Sequence, residues 1–108
     1  RQSRKLYILH SKLLTQYMQY SEQILTQIEQ YASIYVKISD MAIILGIPAE
    51  VLRQDIADKT TDVSKAYHRG KASSRVKLLH QEMQLAYVGS PLALENTRNN
   101  LLDMEDDE

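Results

Sequence analysis

Cysteine, phenylalanine and tryptophan are absent from this 108-residue sequence, which also holds only three glycines and two prolines. Without cysteine the chain can form no disulfide scaffold, no cysteine-ligated zinc site and no cysteine nucleophile. The scarcity of glycine and proline leaves little material for hairpins and irregular loops, so we expect an all-α protein. The length suits a single helical domain and is too short for two ordinary domains.

A strong bulk charge is also lacking, because 13 Lys and Arg residues stand against 14 Asp and Glu residues. General attraction to nucleic acid or to an anionic membrane is therefore not expected, and any such attraction must come from local patterning. No apolar run approaches the roughly 18 residues of a spanning helix, and no charged-then-apolar leader opens the chain, so we expect no membrane partner.

The first third of the chain has the apolar period of a helix. Apolar residues recur at steps of three and four from Ser3 to about Tyr35, with no glycine or proline between them. This pattern predicts a long N-terminal helix over residues 1–36, either continuous or divided by a bend. A second apolar row beside the first makes the buried arc wider than a coiled-coil seam, so the helix needs more than one neighbour.

Capping residues divide the remainder of the chain. Ser39 and Asp40 are typical of a helix start, Gly46 of a helix end, and Pro48 of the first turn of the next helix, over 48–58. Thr60 or Thr61 is expected to cap a fourth helix that reaches Val88. The Gly89-Ser90-Pro91 sequence then predicts a boundary before a last helix over 91–103. An acidic tail, residues 104–108, is expected to be frayed and solvated.

Residues 38–58 have the pattern of a DNA-binding helix-turn-helix. Ala42 is small enough for two helices to cross closely, Gly46 makes the turn, and Leu45, Ile47 and Leu52 are expected to fill the space between the helices. The outward side of the second helix would carry Ala49, Glu50, Arg53 and Gln54. The last two have the donors and acceptors that read guanine and adenine edges in a major groove.

Two features of the second helix favour a hairpin used only for packing. Residues 48–58 contain Glu50, Asp55 and Asp58 against Arg53 alone, a net charge of −2 on the helix that would approach phosphates. Asp55 also stands where the motif usually has an apolar residue. Both interpretations of this segment remain open on the sequence alone.

Positive charge is concentrated further along the chain. Between Val63 and Gln81 there is no carboxylate, and helical periodicity places most of the cations on one arc, opposite the small residues. The candidate phosphate contacts on this arc are Lys65, Arg69, Lys71 and Arg75. Such contacts would release counterions and make binding sensitive to salt, whereas the alternative is an ordinary solvated face.

The same helix predicts close packing and self-association. Ala66, Gly70 and Ser74 are spaced four apart, so another backbone can approach there. Towards Val88 the helix has two apolar flanks, and we expect a long first helix to cover one of them and the last helix or a second subunit the other. A homo-oligomer is therefore expected. The two apolar flanks are Leu78, Leu85 and Val88 on one side and Val76, Leu79, Met83 and Tyr87 on the other.

Three short motifs give the sequence a family likeness. They are Ala66-Tyr67-His68-Arg69-Gly70-Lys71-Ala72, Leu85-Ala86-Tyr87-Val88-Gly89-Ser90-Pro91-Leu92-Ala93 and Asn100-Leu101-Leu102. Placed after a helix-turn-helix, they resemble the small terminase subunits of tailed bacteriophages and prophages over residues 38–102. The long N-terminal helix and the acidic second helix depart from that pattern.

The resemblance implies a DNA-packaging protein in the cytoplasm of a bacterial host. Its partners would be double-stranded DNA, further copies of itself, for example in a ring, and a large terminase subunit. The DNA contacts would be Ala49, Glu50, Arg53 and Gln54, and the helical hairpin over 61–103 would form the assembly surface.

Three other classes of function were compared with this one: an enzyme, a transcriptional regulator and a scaffold. His10, His68 and His80 lack metal-ligand spacing, and no phosphate loop or nucleophile elbow is present, so we expect neither an enzyme nor a bound metal or cofactor. A dimeric transcriptional regulator would use the same helix-turn-helix on a palindromic operator. A scaffold without DNA binding would use only the apolar helices.

Overall fold

The computed structural model describes residues 20–108, which form five helices and no strand. The prediction of an all-α protein is therefore confirmed for this part of the chain. The helices are α1 (Glu22–Ser33), α2 (Ile38–Leu45), α3 (Ala49–Ala57), α4 (Asp62–Tyr87) and α5 (Pro91–Asp106). None of the five combines the length and the apolar character that a membrane crossing requires.

Helix α1 begins later than the periodicity suggested. Ser21 is extended, with φ −67° and ψ 165°, and its hydroxyl accepts a hydrogen bond from the Ile24 amide. The prediction of one helix that continues unbroken through Ser21 is therefore wrong, because the Ser21 side chain caps the start of α1. Apolar spacing alone does not detect such a start. The rest of the predicted range, residues 1–19, lies outside the described residues.

The boundaries around α2 match the expected residues only in part. Gly46 ends the helix in the left-handed conformation with φ 70°, as predicted. The start is one to two residues earlier than expected: Lys37 is the N-cap, without a side-chain hydrogen bond, and Asp40 lies in the first turn, where its carboxylate faces the positive end of the helix dipole. Pro48 precedes α3 as its N-cap and is not within its first turn.

Side-chain caps begin α4 and α5. The hydroxyl of Thr61 accepts from the Ser64 amide at 3.1 Å, and the hydroxyl of Ser90 accepts from the Ala93 amide at 3.2 Å. With Gly89 at φ 102° and Pro91 opening α5, the predicted boundary at 89–91 is confirmed. The predicted end at residue 103 is wrong, because no helix breaker follows and α5 continues to Asp106. Residues 104–108 are exposed as expected, but their first three residues are helical and not frayed.

The chain divides within α4 into two compact units, one ending at Ala72 and one beginning at Ser73. In the first unit, α1, α2, α3 and the start of α4 enclose an apolar core. In the second unit the only buried side chain is that of Ala93. The core of the first unit is formed by Ile28, Ala32, Met41, Ala42, Ile47, Leu52, Ile56 and Val63.

Close packing at the small residues of α4 is observed in the first unit. Ala66 is buried, and a methyl group built on Gly70 would overlap the carbonyl oxygen of Glu29 and lie 3.0 Å from the Cβ of Ala32. The neighbour predicted at Ala66 and Gly70 is therefore α1 of the same chain. The third small residue, Ser74, belongs to the second unit and is half-buried.

Candidate nucleic-acid interface

One side of α3 is held firmly in the core of the first unit. Leu52 and Ile56 are buried at 0% and 4% exposure, and Ile47 in the preceding turn is also buried. The turn is closed by the Ile47 amide, which donates to the carbonyl of Ala42 at 2.9 Å, while Leu45 packs partly against the same core. These contacts fix α3 relative to α2, and the opposite side of α3 faces outward.

The outward side of α3 carries three of its four predicted residues. Glu50, Arg53 and Gln54 are exposed, so they lie on one accessible face. Ala49 is half-buried and packs against the core cluster. Its assignment to the outward face is wrong, because the first residue of α3 turns its methyl group inward.

Glu50 and Arg53 form an ion pair along this face. The shortest distance, from Nη1 of Arg53 to Oε1 of Glu50, is 3.5 Å, and the side chains of Arg53 and Glu50 are 50% and 84% exposed respectively. A long pair at such exposure contributes little and exchanges readily with solvent. Arg53 is therefore available to another acceptor.

Asp55 has a specific structural partner that explains its place in α3. The hydroxyl of Tyr20 donates a hydrogen bond to Oδ2 of Asp55 at 2.7 Å. Partial burial raises the pKa of Tyr20 above its usual value, and the hydrogen bond and the negative charge of Asp55 raise it further. Sequence reasoning missed this contact across 35 residues, and the only signal was a carboxylate at a position that usually holds an apolar side chain.

The third acidic residue of this segment, Asp58, caps the turn after α3. Its Oδ1 accepts from the amide and the hydroxyl of Thr60 at 3.1 Å and 2.7 Å. Each of the three carboxylates in residues 48–58 thus has a local or tertiary partner. The fold explains the presence of Asp55 and Asp58, whereas the charges of Glu50 and Asp55 stay on α3.

The predicted basic arc of α4 is interrupted at its start. Lys65 and Arg69 line a shallow groove of about 260 Å³ between α1 and α4. The same groove is lined by Glu22, Glu29 and Asp62, and Nη1 of Arg69 lies 3.0 Å from Oε1 of Glu29. Lys65 and Arg69 therefore lie beside carboxylates: Glu22 and Glu29 come from α1, and Asp62 stands in the first turn of α4, just before the stretch without acids.

The other two predicted cations of the arc have different surroundings. Nζ of Lys71 lies 5.2 Å from the ring centroid of Tyr67, a cation–π contact that leaves it half-buried. Arg75 is exposed in the second unit, where it lines a cleft of about 250 Å³ together with Asn96 and Asn100 of α5. The four cations therefore differ in their surroundings: Lys65 and Arg69 share a groove with carboxylates, Lys71 contacts an aromatic ring, and Arg75 lines a cleft of the second unit.

Two lysines that the sequence analysis did not select flank α2 and α3. Lys37 precedes α2 and Lys59 follows α3, and both are exposed. Neither forms an ion pair with a carboxylate of residues 20–108. Each is isolated from other cations in the sequence, so a search for basic runs did not select it, although both directly adjoin the predicted 38–58 segment.

The two lone histidines that lie in the described range have no metal-binding surroundings. Nδ1 of His68 lies 2.8 Å from the carbonyl oxygen of Ser64, and its ring meets Tyr67 edge-on. Across residues 20–108, no group of three His, Asp or Glu side chains is placed to hold a metal ion.

The second unit exposes an unusual amount of apolar side chain. The residues of both flanks predicted for α4 remain between 37% and 81% exposed, although Leu78 and Leu79 also line the cleft towards α5. Helix α5 adds further exposed side chains, although Nδ2 of its Asn96 reaches Oε1 of Glu82 on α4 at 2.8 Å. The exposed apolar residues of α5 and the preceding turn are Val88, Leu92, Leu94, Leu101, Leu102 and Met104.

The chain thus combines a two-helix segment with an accessible outer face and an apolar hairpin. No family model, curated protein sequence or solved structure matches it.

Proposed function

We propose that this chain is an oligomeric DNA-binding protein that acts in phage DNA packaging, in the manner of a small terminase subunit. The observation that carries the proposal is that two short helices, α2 and α3, are joined by a turn in which Gly46 is left-handed, which is the sequence of elements that a helix-turn-helix requires. Leu52 and Ile56 anchor one side of α3 in the core while Arg53 and Gln54 are exposed on the other. Its partners would be double-stranded DNA, other copies of the chain and a large terminase subunit.

Base recognition is assigned to the outer face of α3. Gly46 ends α2 in a left-handed turn that leads into α3, and in this assignment α3 would enter a major groove while α2 lies across the backbone. Arg53 can donate to the two acceptors of a guanine edge, and Gln54 can bind an adenine edge through its amide. Arg53 would exchange its long contact with Glu50 for the base.

Backbone contacts are assigned mainly to Lys37 and Lys59. They flank the two helices, are exposed, and have no carboxylate partner among residues 20–108. Lys65 and Arg69 are weaker candidates than the sequence suggested, because Glu22, Glu29 and Asp62 share their groove. A protein that neutralises few phosphates should bind with a shallow dependence on salt.

Assembly is assigned to the hairpin of α4 and α5, because its apolar flanks are exposed on more than one side. Contacts between unlike surfaces build rings or larger assemblies, whereas one self-complementary surface builds a dimer.

Measuring the mass in solution separates the hypotheses: several copies favour packaging, and a dimer favours a transcriptional regulator. A scaffold without DNA binding is favoured by the net negative charge of α3. None of these roles is enzymatic or needs a cofactor, and each would operate in the cytoplasm of a bacterial host.

Fluorescence anisotropy with a random duplex, followed across a salt series, tests the proposal. Lys37→Ala with Lys59→Ala should reduce the slope of log affinity against log salt by about 2, since each lost phosphate contact contributes roughly 0.9. Lys65→Ala with Arg69→Ala is the matched control and should reduce it less. Arg53→Ala with Gln54→Ala should reduce selectivity among duplex sequences. A wild-type chain without salt-dependent binding would refute the proposal.

A further inference from the structure

We infer that Thr61 and Ser64, at the start of α4, position α3 for base recognition and so determine its selectivity among duplex sequences. Their two hydroxyl groups, called the hydroxyl clamp below, bind the last carbonyls of α3. The inference rests on the proposed function, since it takes α3 as the helix that reads bases. Both residues act through α3, by holding Arg53 and Gln54 in a fixed direction.

The hydroxyl clamp joins the end of α3 to the start of α4. A helix leaves its last four carbonyls without partners inside the helix. In α3, Oγ1 of Thr61 donates to the carbonyl of Asp55 at 2.7 Å and lies 2.9 Å from that of Asp58 in the following turn. Oγ of Ser64 donates to the carbonyl of Ile56 at 2.6 Å. Two carbonyls at the end of α3 thus accept from side chains of another helix.

Burial strengthens these hydrogen bonds. Thr61 and Ser64 are 6% and 1% exposed, and within residues 20–108 they are the only buried polar side chains. Water competes poorly at such a place, so a hydrogen bond there is stronger than one in solvent. Removing the Ser64 hydroxyl would leave the carbonyl of Ile56, a residue only 4% exposed, without this partner.

The hydroxyl clamp supplies a direction that the apolar contacts of α3 lack. This helix has nine residues, fewer than the roughly 12–15 at which an isolated helix becomes stable, so it depends on its surroundings. Hydrophobic contact is non-directional, whereas a hydrogen bond weakens steeply when it is bent. Bonds to the carbonyls of Asp55 and Ile56 therefore resist rotation of α3, and Tyr20 holds the Asp55 carboxylate as well. Arg53 and Gln54 directly precede these residues, so a rotation here would move both side chains relative to base edges.

Selectivity on duplex DNA tests the hydroxyl clamp. Fluorescence anisotropy compares a random duplex with the duplex that the wild-type chain selects from a random-sequence pool. Ser64→Ala and Thr61→Val should each lower the ratio of the two affinities roughly fivefold, the factor that one lost hydrogen bond represents. Thr61→Ser keeps the hydroxyl and should keep the wild-type ratio. In Ser64→Ala the dependence of affinity on salt should stay unchanged, because Lys37 and Lys59 are retained.

Ile28→Val is the matched control for lost stability. It removes one methyl group from the core of the same unit, where Ile28 is 0% exposed, and removes no hydrogen bond. Its selectivity should equal that of the wild type. Circular dichroism sets a temperature at which every variant is folded. Hydrogen exchange of the α3 amides should be roughly fivefold faster in Ser64→Ala than in the wild type.

Unchanged selectivity in either Ser64→Ala or Thr61→Val would overturn the inference and leave the proposed function standing. An equal loss in Ile28→Val, or a loss in Thr61→Ser as large as that in Thr61→Val, would do the same. A wild-type chain that binds no duplex, or binds all duplexes alike, would instead refute the proposed recognition by α3. Faster exchange in Ser64→Ala would then still assign the hold on α3 to the hydroxyl clamp, and unchanged exchange would overturn that assignment too.

Discussion

Replacing Gly70 by alanine should have two opposite effects on the free energy of unfolding. In an exposed helix interior, alanine is favoured over glycine by about 1 kcal/mol, so helix propensity alone predicts a more stable protein. At Gly70 the new methyl group would overlap the backbone carbonyl of Glu29, which cannot rotate away. Overpacking of this kind costs about 1–3 kcal/mol, here towards the upper end, so the net loss should be about 1–2 kcal/mol.

Thermal unfolding followed by circular dichroism measures this difference, and the expected fall in Tm is roughly 4–16 °C for a unit of this size. Ala72→Gly is the matched control, because Ala72 is exposed on the same helix and reports propensity alone. The free energy of unfolding of Ala72→Gly should be lower than that of the wild type by about 1 kcal/mol. If Gly70→Ala were instead as stable as the wild type or more so, α1 would not approach α4 closely at this point, and the packing argument would be refuted.

Two further predictions concern the segment that presents α3. Gly46→Ala should cost about 1–2 kcal/mol in urea unfolding, because φ is 70° and nothing lies within 4 Å of the new methyl group, so only backbone strain contributes. A much larger loss would show that packing contributes as well. For Tyr20, the folded-state pKa is raised, so the unfolded chain releases this proton first and the free energy of unfolding should fall as pH rises above about 10. Absorbance titration should show a tyrosine ionisation step above the usual range in the wild type, and this late step should disappear in Tyr20→Phe. A late step that persists in the variant would assign the raised pKa to another tyrosine.

Local signals in the sequence predicted the elements better than their contacts. Gly46, Thr61 and the Ser90-Pro91 pair each act on backbone groups within a few residues, so their roles could be assigned without the fold. The start of α1 was missed because Ser21 caps the helix at a point where the apolar period of the sequence continues on both sides. A capping hydroxyl leaves no trace in a hydrophobic pattern. The start of α2 was misplaced for a different reason, since its N-cap, Lys37, makes no side-chain hydrogen bond and so carries no capping signal.

The candidate site was less predictable because electrostatics depends on distance in space. A count along α4 finds cations without acids, yet Glu29 of α1 lies 3.0 Å from Arg69. A count along α3 finds acids in excess, yet Asp55 accepts from Tyr20 and serves the packing of α3. Each local count omitted partners that lie far away in the sequence, 40 residues for the first pair and 35 for the second.

For DNA binding, the cations best suited to contact phosphates are therefore the two lysines beside α2 and α3, and not the predicted cations of α4. A phosphate is attracted more by cations that form no ion pair, because an existing ion pair must be weakened before a new one forms. By that criterion Lys37 and Lys59 outrank Arg69, although neither belongs to a basic run. The net charge of α3 still opposes the approach of a duplex, so the affinity of a single copy should be low. An assembly that presents several copies of α3 to one duplex would overcome this, since linked sites bind with a high effective concentration. The exposed hairpin and the weakly charged recognition helix are therefore parts of one proposed mechanism, in which self-association makes DNA binding effective.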